Sequence, residues 1–344
     1  MFQQIVVPLD GSVRAEQALP VAAHIARACG GSVLLLQVVT TPIDYGPYSS
    51  LFSVLLQEQL DVNYNRALDY LARISSSKKV LAGVKKHVEV LSGDPAESIL
   101  SLAQTHRCDL IVLCSHGPTG VERGRRGSVA QKVAYHSPVP VLVLRAGGVA
   151  LAPPPGEAAR PIRALIGLDG SAWAEEALVP TAHLVTALSV PAHGALHLLT
   201  VISMPVLGRL SSQVSLSSGS VKQAQQAADA YLHAVADRLR QGEVADLKLS
   251  ITSSVAIDVD VAGTIIRRAE HGEGAVGSDV SDGCDLIALA THGRSGVPGW
   301  VMGSVTERVL GVTKLPLLVV RPRRQRAETR HELHEGATTT TARE

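Results

Sequence analysis

Ten residues near the start of the chain recur in its middle. Asp10-Gly11-Ser12-Val13-Arg14-Ala15-Glu16-Gln17-Ala18-Leu19 returns as Asp169-Gly170-Ser171-Ala172-Trp173-Ala174-Glu175-Glu176-Ala177-Leu178, an offset of 159. Gly31 then matches Gly194, Ile99 matches Ile265, and Gly117, Gly127 and Arg145 match Gly293, Gly303 and Arg321, so the offset climbs to 163, 166 and 176. Because the offset only grows, the second copy carries insertions of about four, three and ten residues. A period this long is several times that of a solenoid unit and describes two copies of a whole domain. The 344 residues of the chain are the length two ordinary domains require.

Between the copies lies Ala146-Gly147-Gly148-Val149-Ala150-Leu151-Ala152-Pro153-Pro154-Pro155-Gly156. Three consecutive prolines make a stiff, extended connector. The expected division is a first domain over 1–146, a Pro/Gly-rich linker over 147–160, a second domain over 161–322 and a disordered tail over 323–344, rich in Glu, His and Thr. The serine-rich stretch from Ser203 to Ser220 and the polar stretch from Gly272 to Gly283 read as long surface loops of the second copy.

In the first copy Ile5 to Leu9 reads as a strand and Arg14 to Cys29 as a helix, with Ala15, Leu19, Ala22, Ala23 and Ala26 at helical spacing. Strands follow at Val33 to Val39, Lys85 to Leu91, Leu110 to Leu113 and Val139 to Leu144, with helices at Leu51 to Ser76, Pro95 to Thr105 and Val129 to Tyr135. The second copy repeats the order, with strands near Ile162 to Leu168, Leu196 to Val201, Leu247 to Thr252, Leu286 to Ala290 and Leu317 to Val320. Continuous apolar strands alternating with helices predict an α/β fold whose mainly parallel sheet is covered on both faces. Ligands of such sheets sit beyond the carboxyl ends of the strands, at the point where strand order reverses.

The loop after the fourth strand carries the most chemistry. Cys114-Ser115-His116-Gly117, nine residues, then Gly127-Ser128-Val129 is echoed by Ala290-Thr291-His292-Gly293, nine residues, then Gly303-Ser304-Val305. Glycine lets backbone approach a phosphate, and Gly-Ser opening a helix offers unpaired N–H groups at the positive end of the helix dipole. One such loop is accounted for by turning and capping alone; two, each following a predicted fourth strand, point to phosphate. Asp10 and Asp169 end the first strand of each copy, where a carboxylate both caps the next helix and faces the ribose or adenine edge of a nucleotide. Val38 and Val201 end the second strand and supply an apolar wall for a base. His116 and His292 also repeat, and without a partnered Ser or Asp at catalytic spacing they read as packing or backbone-bonded residues, while His24 and His183, which repeat on the first helix, read as packing residues.

These residues resemble the universal stress protein family. The likeness rests on Asp-Gly-Ser after the first strand, Ser/Thr-His-Gly, nine residues, Gly-Ser-Val and a closing Val-Leu-Val-type strand, and it covers about Gln3 to Arg145 and about Pro161 to Arg321. The resemblance implies two tandem Rossmann-like domains, each a five-stranded parallel sheet with helices on both faces, forming an internal pseudo-dimer through their last strands. It implies ATP binding, with or without Mg2+, through Asp10, Val38, Gly117, Gly127, Ser128 and Val129 in the first domain and Asp169, Val201, Gly293, Gly303, Ser304 and Val305 in the second. Two features depart from the family pattern. The first motif glycine is replaced by Cys114 in one copy and Ala290 in the other. The apolar Trp300-Val301-Met302 of the second loop has Arg123-Gly124-Arg125-Arg126 as its counterpart in the first.

Composition trims the alternatives. The formal net charge is +1 and only two Phe, two Trp and six Tyr are present, so the basic field and the stacking platforms of a nucleic-acid binder are missing. Cys29, Cys108, Cys114 and Cys284 form no CxxC pair and read as buried thiols in a reducing compartment. The N-terminus shows no signal-peptide pattern and no apolar run reaches membrane-spanning length, so a cytoplasmic protein is expected. The expected function is a non-catalytic nucleotide sensor or regulator of the stress response, partnered by an adenine nucleotide and by a second copy or another protein. Two alternatives stand beside it: a slow ATP hydrolase or phosphoryl/nucleotidyl transferase, for which no GxxxxGK(S/T) loop is present, and an interaction module that has lost one or both nucleotide sites.

Overall fold

A computed structural model of the chain describes residues 1–40, 49–115, 128–154, 156–203, 218–272, 283–292 and 302–322. The first half runs β1 (Gln4–Leu9), α1 (Val13–Glu16), α2 (Ala18–Cys29), β2 (Ser32–Val39), α3 (Ser49–Ser77), β3 (Lys85–Ser92), α4 (Pro95–Thr105), β4 (Leu110–Ser115), α5 (Ser128–His136) and β5 (Val141–Arg145). The second runs β6 (Arg163–Gly167), α6 (Ala172–Glu175), α7 (Leu178–Ser189), β7 (Ala195–Ser203), α8 (Ser218–Gln241), β8 (Ser250–Asp258), α9 (Val261–His271), β9 (Leu286–Ala290), α10 (Ser304–Val312) and β10 (Leu317–Val320).

All of these strands join one sheet, in the order β3-β2-β1-β4-β5-β10-β9-β6-β7-β8. Pairing is parallel within each half, and the only antiparallel joint among these strands is β5 with β10, where Val141, Leu142 and Val143 face Val319, Leu318 and Leu317. Strand order reverses beside β1 and β4 in one half and beside β6 and β9 in the other. That reversal splays apart the loops beyond the strand ends and leaves a crevice in which a ligand is held.

Successive strand residues point to opposite faces, and the apolar strands feed both. Ile5 and Val7 of β1 join one buried layer and Val6 the other. The first layer lies under α1, α2, α3, α6, α7 and α8, the second under α4, α5, α9 and α10, and each runs through both halves. Burying a Val or Leu in this way stabilises by about 1.5–3 kcal/mol, and residues of both halves contribute to each layer. Across the joint α2 packs on α7, and the His24 ring, read from the sequence as a packing residue, also meets the Leu188 carbonyl at 3.2 Å.

Four details differ from the reading of the sequence. The helix expected over Arg14 to Cys29 is two helices separated by Gln17. Pro20 has no N–H and its ring crowds the carbonyl four residues back, that of Glu16, which ends α1; in the second copy Pro180 crowds that of Glu176, the residue that follows α6. The third strand of the second half lies at Ser250–Asp258, not Leu247 to Thr252, because Leu247 closes a short 3-10 turn before it. Cys108 and Cys284 are buried, but Cys29 and Cys114 are only half-buried. The linker is not merely a spacer, since Leu151 is fully packed into the first apolar layer. The tail, most of Ser203 to Ser220 and nearly all of Gly272 to Gly283 lie outside the described residues.

Candidate functional site

The Asp-Gly-Ser turn is built alike in both halves. Asp169 Oδ1 accepts from the Ser171 amide at 3.0 Å and from its hydroxyl at 2.6 Å, and Ser171 Oγ accepts from the Ala174 amide at 3.1 Å, capping α6. Gly170 between them has φ +84°, a conformation that a side chain strains. In the first half Asp10 Oδ1 accepts from the Ser12 amide at 2.9 Å and hydroxyl at 2.5 Å, and Ser12 caps α1. There Arg14 adds a contact to Asp10 Oδ2 at 3.3 Å, whereas the second half has the uncharged Trp173 at that position. Burial pulls the Asp10 pKa upward, but the Ser12 hydrogen bonds and Arg14 outweigh it and leave the carboxyl below its ordinary value.

Beyond the strand ends of the second half a cleft opens between β6, β7 and β9 and the starts of α9 and α10. Asp169, Val201, Gly303, Ser304 and Val305 all line it, together with Ala290 and His292. Five of the six residues picked in the second copy therefore meet in one place; Gly293 lies outside the described residues. Gly167, at the floor, makes room for Leu289, whose Cδ2 would stand 2.6 Å from any Cβ placed there. In the first half Val38 and Val129 pack against the same apolar layer as Val201 and Val305. Gly117, Gly127 and the arginine-rich stretch lie outside the described residues, as does the Ser128 side chain.

The start of α10 corrects one expectation. The Gly303 amide donates to the Thr291 carbonyl at 2.7 Å, and a Cβ at 303 would come within 3.3 Å of the same oxygen. Gly303 thus fastens the loop and has no N–H left for a phosphate. The first main-chain bond of the helix joins the Glu307 amide to the Gly303 carbonyl at 3.0 Å, so the amides of Ser304, Val305 and Thr306 are the ones the helix leaves for a ligand. Thr306 Oγ1 turns back onto the Ala290 carbonyl at 2.8 Å, and buried His292 sets Nδ1 3.0 Å from Thr291 Oγ1. Arg308 on α10 grips Asp260, the N-cap of α9, with 2.7 and 2.9 Å contacts; the counterpart pair in the first half, Lys132 and Asp94, is 3.9 Å apart. In place of Ala290 the first half has Cys114, whose Sγ lies 3.8 Å from Gln17 Oε1 and whose thiol pKa burial raises.

Sequence reasoning missed a second repeated constellation. Tyr70 donates to Glu16 at 3.1 Å and Lys78 pairs with the same carboxylate at 2.6 Å; Tyr231 donates to Glu175 at 3.0 Å and Arg238 pairs with it at 2.7 Å. The glutamates fall inside the aligned repeat, but their tyrosines lie 54 and 56 residues onward, past an insertion, and no local pattern announces them. Among the described residues no three His, Cys, Asp or Glu side chains gather as a metal site, and no helix is long and apolar enough to cross a membrane.

The universal stress protein family model matches the chain twice, over residues 1–145 and 163–321. The chain belongs to the universal stress protein family and carries two of its domains in tandem. A universal stress protein of Methanocaldococcus jannaschii is 34% identical over 149 residues, covering 42% of this chain and 83% of that protein. One from Thermus aquaticus is 33% identical over 146 residues and is matched along its whole length, again by 42% of this chain. The crystal structure of a universal stress protein from Archaeoglobus fulgidus shares the fold across 93% of this chain and 99% of its own, with TM-score 0.58 and 17% identity.

Proposed function

We propose that this chain binds ATP in the cleft of its second half and serves the stress response as a non-catalytic nucleotide sensor, its halves paired as an internal pseudo-dimer. The observation that carries the reading is the convergence of Asp169, Val201, Ser304 and Val305 on one cleft, at the reversal of strand order and against the open amides of α10. The residues suit the group: Val201 offers an apolar wall for the base, Asp169 a fixed carboxylate for the adenosine, and the amides of Ser304, Val305 and Thr306 a cradle for phosphate. The bound nucleotide would supply the negative charge that the positive end of α10 favours. Mg2+ would travel with the phosphates, without a dedicated protein ligand.

The first half is the weaker site in this reading, since Arg14 holds Asp10 and Cys114 adds bulk where Ala290 leaves room. Calorimetry on nucleotide-stripped protein with magnesium tests both statements. ATP binding that Asp169→Ala and Gly303→Glu each abolish is expected; the same heats in wild type and both variants would end the proposal. Steady hydrolysis above buffer, lost in Asp169→Ala while ATP still binds, would replace it with the phosphoryl-transfer reading.

A further inference from the structure

We propose that Arg145, a residue of the first half, is a positioning residue for the second half's phosphate cradle; the inference rests on the ATP reading of that cleft. Arg145 ends β5 and reaches across the joint with β10. Nη1 donates to Ser115 Oγ at 2.9 Å, and Nη2 donates to the carbonyl of Leu310. Ser115 is itself buried and bonded to the Leu144 carbonyl at 3.4 Å, so one side of the guanidinium is anchored in the first half. Leu310 lies in the last turn of α10, where carbonyls have no amide ahead of them in the helix. The Thr313 amide takes the Val309 carbonyl at 3.0 Å, and Arg145 takes the next one. Among the described residues Arg145 Nε is buried without a hydrogen-bond partner, and the two Nη contacts hold the group there.

A helix of nine residues does not hold its shape unaided, so what fastens its last turn also fixes where its first amides point. A cation at the carboxyl end also reinforces the dipole whose other end faces the phosphate. The reciprocal contact exists and is looser. Arg321, the repeat counterpart of Arg145, donates to the carbonyl of His136, the last residue of α5, at 3.5 Å. The hydroxyl that would match Ser115 belongs to Thr291, which pairs with His292. The crossing arginine therefore serves α10 more tightly than α5, and a first-half residue sets the phosphate affinity of the second half.

The test compares ATP with adenosine on the full chain, because Arg145 acts on the phosphate end alone. Arg145→Met should weaken ATP at least about fivefold while adenosine stays within about twofold. Arg145→Lys keeps the charge without the fork that spans both partners and should regain part of the loss. Ser115→Ala, which frees one side of the guanidinium and leaves the charge, should move ATP affinity in the same direction and keeps the test open if Arg145→Met does not fold. Unchanged ATP affinity in these variants, or equal losses for ATP and adenosine, would overturn the inference while leaving ATP binding intact. Absence of ATP binding by the wild-type chain would remove the reading beneath it as well.

Discussion

Leu142 and Leu318 stand opposite one another where β5 meets β10, and each is the other's counterpart in the repeat, 176 residues apart. Their neighbours swap in the same manner: Val143 faces Leu317, the counterpart of Val141, and Val141 faces Val319, the counterpart of Val143. Each strand thus presents the same three repeat positions to the other at this joint. One covalent chain brings both copies of that surface.

A proline at Val319 should break this joint. Val319 sits between β5 and β9, both of which need the main-chain groups of β10, so Val319→Pro removes a ladder amide at the centre of the sheet. A loss of at least about 1–3 kcal/mol, for the buried ladder partner left unsatisfied, is expected in urea unfolding, with a larger radius of gyration in solution scattering. A compact variant of wild-type stability would contradict the shared sheet.

The tyrosine and glutamate pairs make a matched prediction. Tyr70→Phe and Tyr231→Phe each remove a hydrogen bond to a half-buried carboxylate, and each should cost about 1–2 kcal/mol by denaturant titration. Both tyrosines have pKa values raised above the ordinary range by burial and by the facing glutamate, so neither should ionise before alkaline unfolding when tyrosinate absorbance is followed. Early ionisation of all tyrosines would remove the pairs.

Thiol labelling separates the cysteines. Burial pushes Cys108 and its counterpart Cys284 up to about 11, which leaves about one thiolate in a thousand at pH 8. In native protein a disulfide reagent should reach Cys29 and Cys114 first and Cys108 and Cys284 only on unfolding. Rapid native labelling of Cys108 or Cys284 would place them outside the core.

Acid should act on the turn at Asp10. Its folded pKa lies below the unfolded value, so the contribution of the ionised carboxylate to stability is present above about pH 4 and is lost as pH falls through the folded pKa. Asp10→Asn should flatten the acid limb of the stability profile there. An unaltered limb would mean that Ser12 and Arg14 do not hold the carboxylate.

The sheet was legible wherever side-chain pattern alone decides an element. Leu286–Ala290 and Leu317–Val320 are unbroken apolar runs and fold as read, and Asp169 and Gly303 were marked by recurrence rather than by composition. The break at Gln17 was also present in the sequence, as Pro20 four residues beyond Glu16, but alanine-rich periodicity masked it. What stayed hidden depends on distance in space. Nothing local tells Gly303 to give its amide to Thr291, Tyr231 to find Glu175, or Arg145 to reach a helix 165 residues away.

The most direct measurement is calorimetric titration of the nucleotide-stripped chain with ATP and magnesium, repeated on Gly303→Glu. A carboxylate at 303 puts both bulk beside the Thr291 carbonyl and negative charge at the mouth of the cradle. One tight ATP per chain, absent from Gly303→Glu, is the expected result. No binding by the wild-type chain, or a tight site that survives Gly303→Glu, would contradict the account.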